Sequence, residues 1–523
     1  MKKTMAKLMA MVLGLTSVAG LAVGCVGMEE IKDTENNLII EFYNAGYGDM
    51  GWNALKRKFE EKNPGTTVTL LPNAGFIAGT AESKLRGGPS VYNVDLMLCG
   101  NLSILSLLEQ GGNVVKGYDY AFADLTDVYD STVPGETLKY KDKMMPYYEN
   151  FNDYGGKYYS TNWASGANGL LYRADFFEKE GWEVPATTDE LVELIDKTKE
   201  KGYVPFTWAG GNGYWAYVTQ VWWAQYAGEQ EIADFYEGKD RYGELSADCF
   251  NTPAFLETYN ALEKCIYVGE NSYTGSISFD QMAAQNYMWI DSNKICMMPN
   301  GSWVENEMAK AGYKEGSKNI RMMRAPVLSA VIYQTDLNGA RSYRFETIRD
   351  EATLRAVVKA IDKGETSYGN VSAEEFAAVQ KMRSYVTTTG NLLQAVVPSY
   401  SNAIPLAKEF LKFMATDEAI QIMYDACSAI MPFESASLAA DDDATDFQKD
   451  MIEMSKNASW LALNSSKNKL FYMTELDYQL LVPEVYLGSQ SSVDKKTGKE
   501  FFEMQRNYIS NRWGIYKSTA GVS

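Results

Sequence analysis

The stretch from Leu38 to Leu70 narrows the fold more than any other part of the chain. Leu38-Ile39-Ile40-Glu41-Phe42-Tyr43 is apolar and bounded, as a buried strand is. Asn44-Ala45-Gly46-Tyr47-Gly48-Asp49 is a loop broken by two glycines, and Trp52, Leu55 and Phe59 then recur on one helical face. Asn63-Pro64-Gly65 turns the chain into a second strand at 67–70. Strand, helix and strand in this order imply parallel pairing through a right-handed crossover, and therefore an α/β fold. Ligands of such sheets gather at the carboxyl ends of the strands, which makes Asn44, Tyr47 and Asp49 candidate binding residues. A further strand, Val94-Asp95-Leu96-Met97-Leu98, runs into Cys99-Gly100 and adds Asn101 at the same end.

With 523 residues the chain exceeds one ordinary domain, so two or three lobes are expected, and 46 % hydrophobic residues suffice to fill their cores. The first 24 residues have the form of a secretory signal, with Lys2, Lys3 and Lys7 ahead of an apolar run from Leu8 to Leu21. No later apolar run reaches the roughly 18 residues of a membrane span. Gly24 followed by Cys25 resembles a bacterial lipoprotein cleavage site, in which the cysteine becomes the acylated N-terminus of a lipid-anchored protein. Ala22 departs from that pattern, which prefers leucine there, and plain secretion is the other reading. Residues 25–37 would then be the lipidated cysteine and a polar tether.

The net charge is −19, and about −22 once the leader and its three lysines are removed. That excludes nucleic acid as a partner, and excludes a charge-driven grip on anionic lipid. Histidine is absent, which removes histidine-based triads, zinc sites and general bases together. The cysteines beyond Cys25 form no Cys-x-x-Cys pair and are expected to be buried thiols. No metal site and no cofactor are expected.

Aromatic residues concentrate between Tyr203 and Tyr226, where they make up nine of 24 residues against 13 % for the whole chain. Gly210, Gly211, Asn212 and Gly213 break the first half of this stretch, and Ala216 to Ala227 contains no breaker before Gly228, a helix-ending glycine. A glycine-rich loop presenting Trp208, Tyr214 and Trp215 is therefore expected, followed by a helix that packs Trp222 inward. Flat rings on a loop suit the C–H face of a pyranose.

Several short runs carry a family resemblance. FEEKNPGTTVTL at 59–70, VDLMLCG at 94–100 and LLEQGG at 107–112 resemble the opening of bacterial extracellular solute-binding proteins of carbohydrate-uptake ABC transporters, the maltose-binding-protein-like group. GGKYY at 155–159 and GLLYRADFF at 169–177 are similar to the family's interlobe segment, with Arg173-Ala174 in place of its Asn-Lys. VPATTDEL at 184–191 matches its proline turn and helix start, and Thr187 with Glu190 forms a capping box there. PNGSW at 299–303 resembles its Gly-x-Trp at the ligand cleft, and APVL at 325–328 its return toward the first lobe. AKEFLKFM at 407–414, DEA at 417–419 and IMPF at 430–433 resemble its late helix pair and the turn after it. Helices are also expected at 350–363 and 372–389.

The resemblance implies a two-lobed, type II periplasmic-binding-protein-like fold, with two α/β lobes joined by a hinge. Lobe 1 would comprise 38–160 plus 325–400, and lobe 2 would comprise 163–322 plus 405–523. A ligand would lie between them, against Asn44, Tyr47, Asp49, Asn101, Trp163, Trp208, Tyr214, Trp215 and Trp303. The implied function is capture of a carbohydrate, an oligosaccharide by the number of aromatics, and its delivery to ABC transporter permease subunits without chemistry on the ligand. The protein would be a monomer, held by lipid at Cys25 on the extracellular face of a Gram-positive cell membrane. A secreted glycoside hydrolase or lyase is the alternative, as is a receptor for a peptide or polyamine. The tail at 441–523 reads as packed structure, and the sequence assigns it no function.

Overall fold

The structure is a computed structural model that describes residues 34–522, except 268, 315, 441, 463–466, 475, 477–480 and 490–493 and the side chains of 146 and 391. The leader, Cys25 and nearly all of the expected tether lie outside the described residues.

Two sheets organise the chain. In the first, strands run in the order Thr67–Asn73, Asn37–Tyr43, Leu96–Gly100, Leu393–Val396, Thr161–Asn162. The first three are parallel, as the strand–helix–strand pattern requires, and Leu393–Val396 lies antiparallel to both of its neighbours. The helix Met50–Lys62 crosses over with Trp52, Leu55 and Phe59 buried, each contributing roughly 1.5–3 kcal/mol. Its other face is covered by the helices Ile404–Met414 and Asp417–Cys427, with Phe59 and Phe410 ring to ring at 5.0 Å.

The second sheet has the order Ser459–Ala462, Tyr385–Thr388, Ala167–Arg173, Ile295–Gly301, Val204–Phe206, with Ile320–Met323 also paired to Ala167–Arg173. Its core is the aromatic stretch. The helix Ala216–Tyr236 is broken at Gly228 (φ 79°, ψ 171°), and its first part buries Trp222 and Trp223 completely. Polar side chains within this core are used as ties. Trp222 donates Nε1–H to the Pro326 carbonyl at 3.0 Å. Gln225 accepts from the Leu328 amide at 2.8 Å and donates to the Met382 carbonyl at 3.2 Å. Cys99, Cys249, Cys265, Cys296 and Cys427 are buried free thiols.

These ties redraw the expected lobe boundaries. Val327 pairs with Thr187, and Tyr385–Thr388 pairs with Ala167–Arg173, so residues 325–388 belong with the second sheet rather than the first. The reason is the buried amide of Gln225, which is satisfied only with 325–328 and 382 beside it. Residues 404–427, expected in lobe 2, cover the Met50–Lys62 helix of lobe 1 because its apolar face is wider than its own sheet can bury. The expected helix at 372–389 ends at Ser384, and β-branched Val386, Thr387 and Thr388 continue it as a buried strand. The tail joins the second lobe. Helix Gly498–Ala520 starts in a Thr497–Glu500 capping box and packs on Pro253–Ile266, where Tyr259 donates to Gln505 at 2.6 Å.

The chain passes between the lobes at 162–167 and 388–393, and Phe433, paired with Met144, precedes the helix Asp446–Ser455 beside the second sheet. Tyr148, fully buried, shares hydrogen bonds with Ser165 Oγ at 3.0 Å and Thr388 Oγ1 at 2.8 Å, so one hydroxyl holds two crossing segments. A Cβ at Gly390 would lie 2.1 Å from that hydroxyl and 2.6 Å from the Ala164 carbonyl, so only glycine permits the approach. Ser165 donates its amide to the Ile430 carbonyl at 2.6 Å, which ties the first crossing segment to the stretch that ends at Phe433.

One buried carboxyl makes the second lobe sensitive to pH. Glu484 accepts the Trp215 amide at 3.0 Å, its other oxygen is unpartnered, and burial pushes its pKa up to about 7. A carboxyl raised in the folded state contributes stability that is fully present below its ordinary pKa and lost as pH rises through about 7. Chemical denaturation of wild type at pH 5 and pH 8 should therefore show a loss toward pH 8 that Glu484→Gln removes, on the order of 3 kcal/mol. Equal pH slopes for the two proteins would refute the assignment.

Candidate functional site

The loops that leave the carboxyl ends of the first sheet meet the second lobe around an open cleft of about 290 Å³. Tyr43 ends the first strand, and the loop after it carries Tyr47 across the gap, where its hydroxyl meets Ser302 Oγ at 2.7 Å. Asn101 follows Leu96–Gly100 at φ 56°, fixed by its amide bond to the Leu392 carbonyl at 2.7 Å. Trp163 follows the crossing strand and donates Nε1–H to the Cys99 carbonyl at 3.2 Å. Its ring stands edge-on between Trp52 at 5.6 Å and Tyr47 at 6.2 Å, so the floor of the cleft is itself a packed stack.

The opposite wall comes from the second lobe. Trp303 follows the strand Ile295–Gly301, and its ring lies back over that strand. A Cβ at Gly301 would sit 2.3 Å from the ring and 2.7 Å from Asn168 Oδ1, which explains glycine in the Gly-x-Trp turn. Tyr217 and Tyr214 stand edge-on to Trp303 at 6.0 and 6.5 Å and lie 4.8 Å from one another. Burial raises the pKa of Tyr47, Tyr214 and Tyr217, so all three keep their phenolic protons and can donate hydrogen bonds. Asn212 and Gln281 add amides, and Glu307 adds a carboxylate. Glu307 accepts from Gln285 Nε2 at 2.6 Å, and burial raises its pKa. The wall thus offers ring faces for C–H groups, with hydroxyl, amide and carboxylate partners for a ligand's polar edge.

Of the residues expected to bind, Tyr47, Asn101, Trp163, Tyr214 and Trp303 line this space. Asn44 lies beside it, with its amide hydrogen-bonded to the Asn73 carbonyl at 3.1 Å and its side-chain Oδ1 buried without a partner. Asp49 is exposed at the head of the Met50–Lys62 helix, outside the cleft. Trp208 and Trp215 are corrections. Both are fully buried in the second lobe's core, Trp208 with Nε1–H on Ser272 Oγ at 2.9 Å and Trp215 ring to ring with Phe206 at 5.2 Å. The glycines at 210 and 211 fold the loop down onto the Ile277 and Phe279 backbone instead of raising its rings to the surface. Tyr43, Tyr217, Asn212, Gln281 and Glu307 were not foreseen. Glu307 had a legible signal, since it stands four residues after Trp303 on one helical face.

Residues 48–421 match the profile of a family described as bacterial extracellular solute-binding protein. The diacetylchitobiose-binding protein NgcE of Streptomyces coelicolor is 25 % identical over 270 residues, 51 % of this chain and 53 % of that one. A multiple sugar-binding protein of Streptococcus mutans is 27 % identical over 207 residues, 39 % of this chain and 43 % of its own. These matches span about half the length of those relatives. The solute-binding protein RafE in complex with raffinose superposes with a TM-score of 0.56 over 91 % of this chain and 98 % of that one, at 17 % identity. That likeness shows the fold, a type II arrangement of two α/β lobes.

If Trp208 serves the core and not the cleft, Trp208→Phe should lower the unfolding free energy by roughly 1–3 kcal/mol through lost volume and the lost Ser272 bond. Titration of the folded variant with a bound sugar should give the wild-type affinity. A variant of unchanged stability and weakened binding would return Trp208 to the site.

Proposed function

We propose, on the premise that this chain belongs to the bacterial extracellular solute-binding proteins, that it captures a carbohydrate between its lobes and delivers it unaltered to an ABC importer permease. The observation that carries this reading is the interlobe cleft walled by Trp303, Tyr214 and Tyr217 over a floor of Trp163. Rings supply apolar contact to pyranose faces, while Asn101, Asn212, Gln281 and Glu307 supply hydrogen-bond partners for hydroxyls. The sugars named for NgcE and for RafE, a diacetylchitobiose and raffinose, support a glycan as the ligand class.

About 290 Å³ lies at the lower end for small-molecule sites, which supports a grip on one or two sugar rings, so an oligosaccharide would be held by one end. The lobes also touch directly. Asn306 Nδ2 donates to the Cys427 carbonyl at 2.6 Å, and Lys469 Nζ and Tyr472 OH both reach Glu109 Oε1 at 2.7 Å. Such contacts suit a hinge that closes over its ligand. Glycoside hydrolysis requires a pair of carboxyl groups flanking one bond, and Glu307 is the one carboxylate among the described residues that line the space. This supports capture over hydrolysis. Acylation at Cys25 would hold the receptor, as a monomer, at the extracellular face of a Gram-positive membrane, beside its permease.

Isothermal titration of residues 26–523 with a panel of neutral mono-, di- and oligosaccharides tests the reading. A sugar should bind at micromolar affinity or better and be recovered intact, and Trp303→Ala and Tyr217→Ala should each weaken it about 30-fold or more. Recovery of cleaved sugar would support a hydrolase. Full affinity in both variants would remove the ligand from this cleft.

A further inference from the structure

Glu307 is the only acidic or basic side chain, tyrosines apart, among the described residues that wall the cleft. It enters no ion pair among the described residues, and its printed hydrogen-bond partner is neutral Gln285. Gln285 is itself fully buried, and its Oε1 has no partner, so nothing behind it relays a counter-charge. The nearest cation is Lys310, one turn further along the same helix, exposed and resting over the Gly48 loop rather than turned into the cleft. Facing Glu307 from the other elements are the hydroxyls of Tyr43 and Tyr47 on the first lobe and of Tyr214 and Tyr217 on the second. The negative charge on Glu307 helps to hold all four in their protonated form. Its field therefore reaches both walls of the space.

We propose that Glu307 sets the charge selectivity of the cleft, admitting neutral and amine-bearing sugars and rejecting sugars that carry a carboxylate. The inference rests on the sugar-receptor reading and deepens it. A half-buried carboxylate with one neutral partner has free lone pairs, which accept hydroxyl or ammonium donors in charge-assisted bonds. A second carboxylate in the same cleft would stand close to half-buried Glu307, where like charges repel more strongly than in bulk water. Selection of this kind works through exclusion as much as through attraction.

The test uses matched sets of probes: glucose, glucosamine and glucuronate, the corresponding galactose series, and disaccharides ending in each. Titrations are run at about 0.5 M salt, which screens the protein's overall negative charge far more than a half-buried charge at contact distance. For whichever series binds, the uronate should bind at least about 30-fold more weakly than the neutral sugar, and the amine at least as well as the neutral sugar. Glu307→Gln should bring the uronate within about threefold of the neutral sugar, while Asp49→Asn, outside the cleft, should leave the wild-type ratio in place. Thermal unfolding of Glu307→Gln beside wild type shows that the variant is folded, and the ratio of uronate to neutral sugar is read whatever the change in absolute affinity. Equal affinity of wild type for uronate and neutral sugar would overturn the proposal without any variant, as would an unchanged ratio in Glu307→Gln. If no sugar of any charge binds, the receptor reading itself falls, and the proposal falls with it.

Discussion

The buried hydroxyl of Tyr148 is the contact on which the arrangement of the two lobes depends. It bonds Ser165 on one crossing segment and Thr388 on another, and Gly390 leaves the space that lets the second segment pass. The neighbouring Ser165 amide donates to the Ile430 carbonyl. Each lobe has its own sheet, but one buried apolar cluster, from Leu38 and Trp52 to Ile295 and Val304, runs across both. What the Tyr148 cluster fixes is their relation. The cleft is made of groups from both sides, and its dimensions follow from this small set of polar contacts.

Around the cleft, packing and presentation are performed by different members of one sequence block. Between Tyr203 and Tyr226, Trp208, Trp215, Trp222 and Trp223 fill the second lobe's interior, and Tyr214 and Tyr217 face the ligand space. The division has a physical basis. Indoles bury more apolar area and have a single N–H, which Trp208 and Trp222 satisfy on Ser272 and on the Pro326 carbonyl. Phenols carry a hydroxyl able to donate and accept, which suits a wall that faces an open, partly polar cleft. Trp303 is the tryptophan that the second lobe brings to the cleft, and it does so because Gly301 lets the ring fold back over its own strand.

Local sequence pattern alone determined much here. The first strand–helix–strand unit, its parallel pairing, and the placement of Tyr47 and Asn101 at carboxyl ends all follow from hydrophobic period and turn chemistry within about thirty residues of each other. The Gly-x-Trp turn at 301–303 was legible only through its resemblance to the solute-binding family. Which rings are core and which are site could not be read, because Trp208 and Tyr214 stand in the same glycine-rich loop and differ only in what the rest of the lobe packs over them. The lobe boundaries were decided at still longer range. Gln225 claims residues 325–328 and 382, and the Met50–Lys62 helix claims 404–427. Glu307 acquires its isolation only when Lys310 turns outward and both lobes close around it. Period and propensity are properties of neighbours along the chain, whereas burial, charge isolation and the cleft itself arise from segments hundreds of residues apart, and only the tertiary structure brings those together.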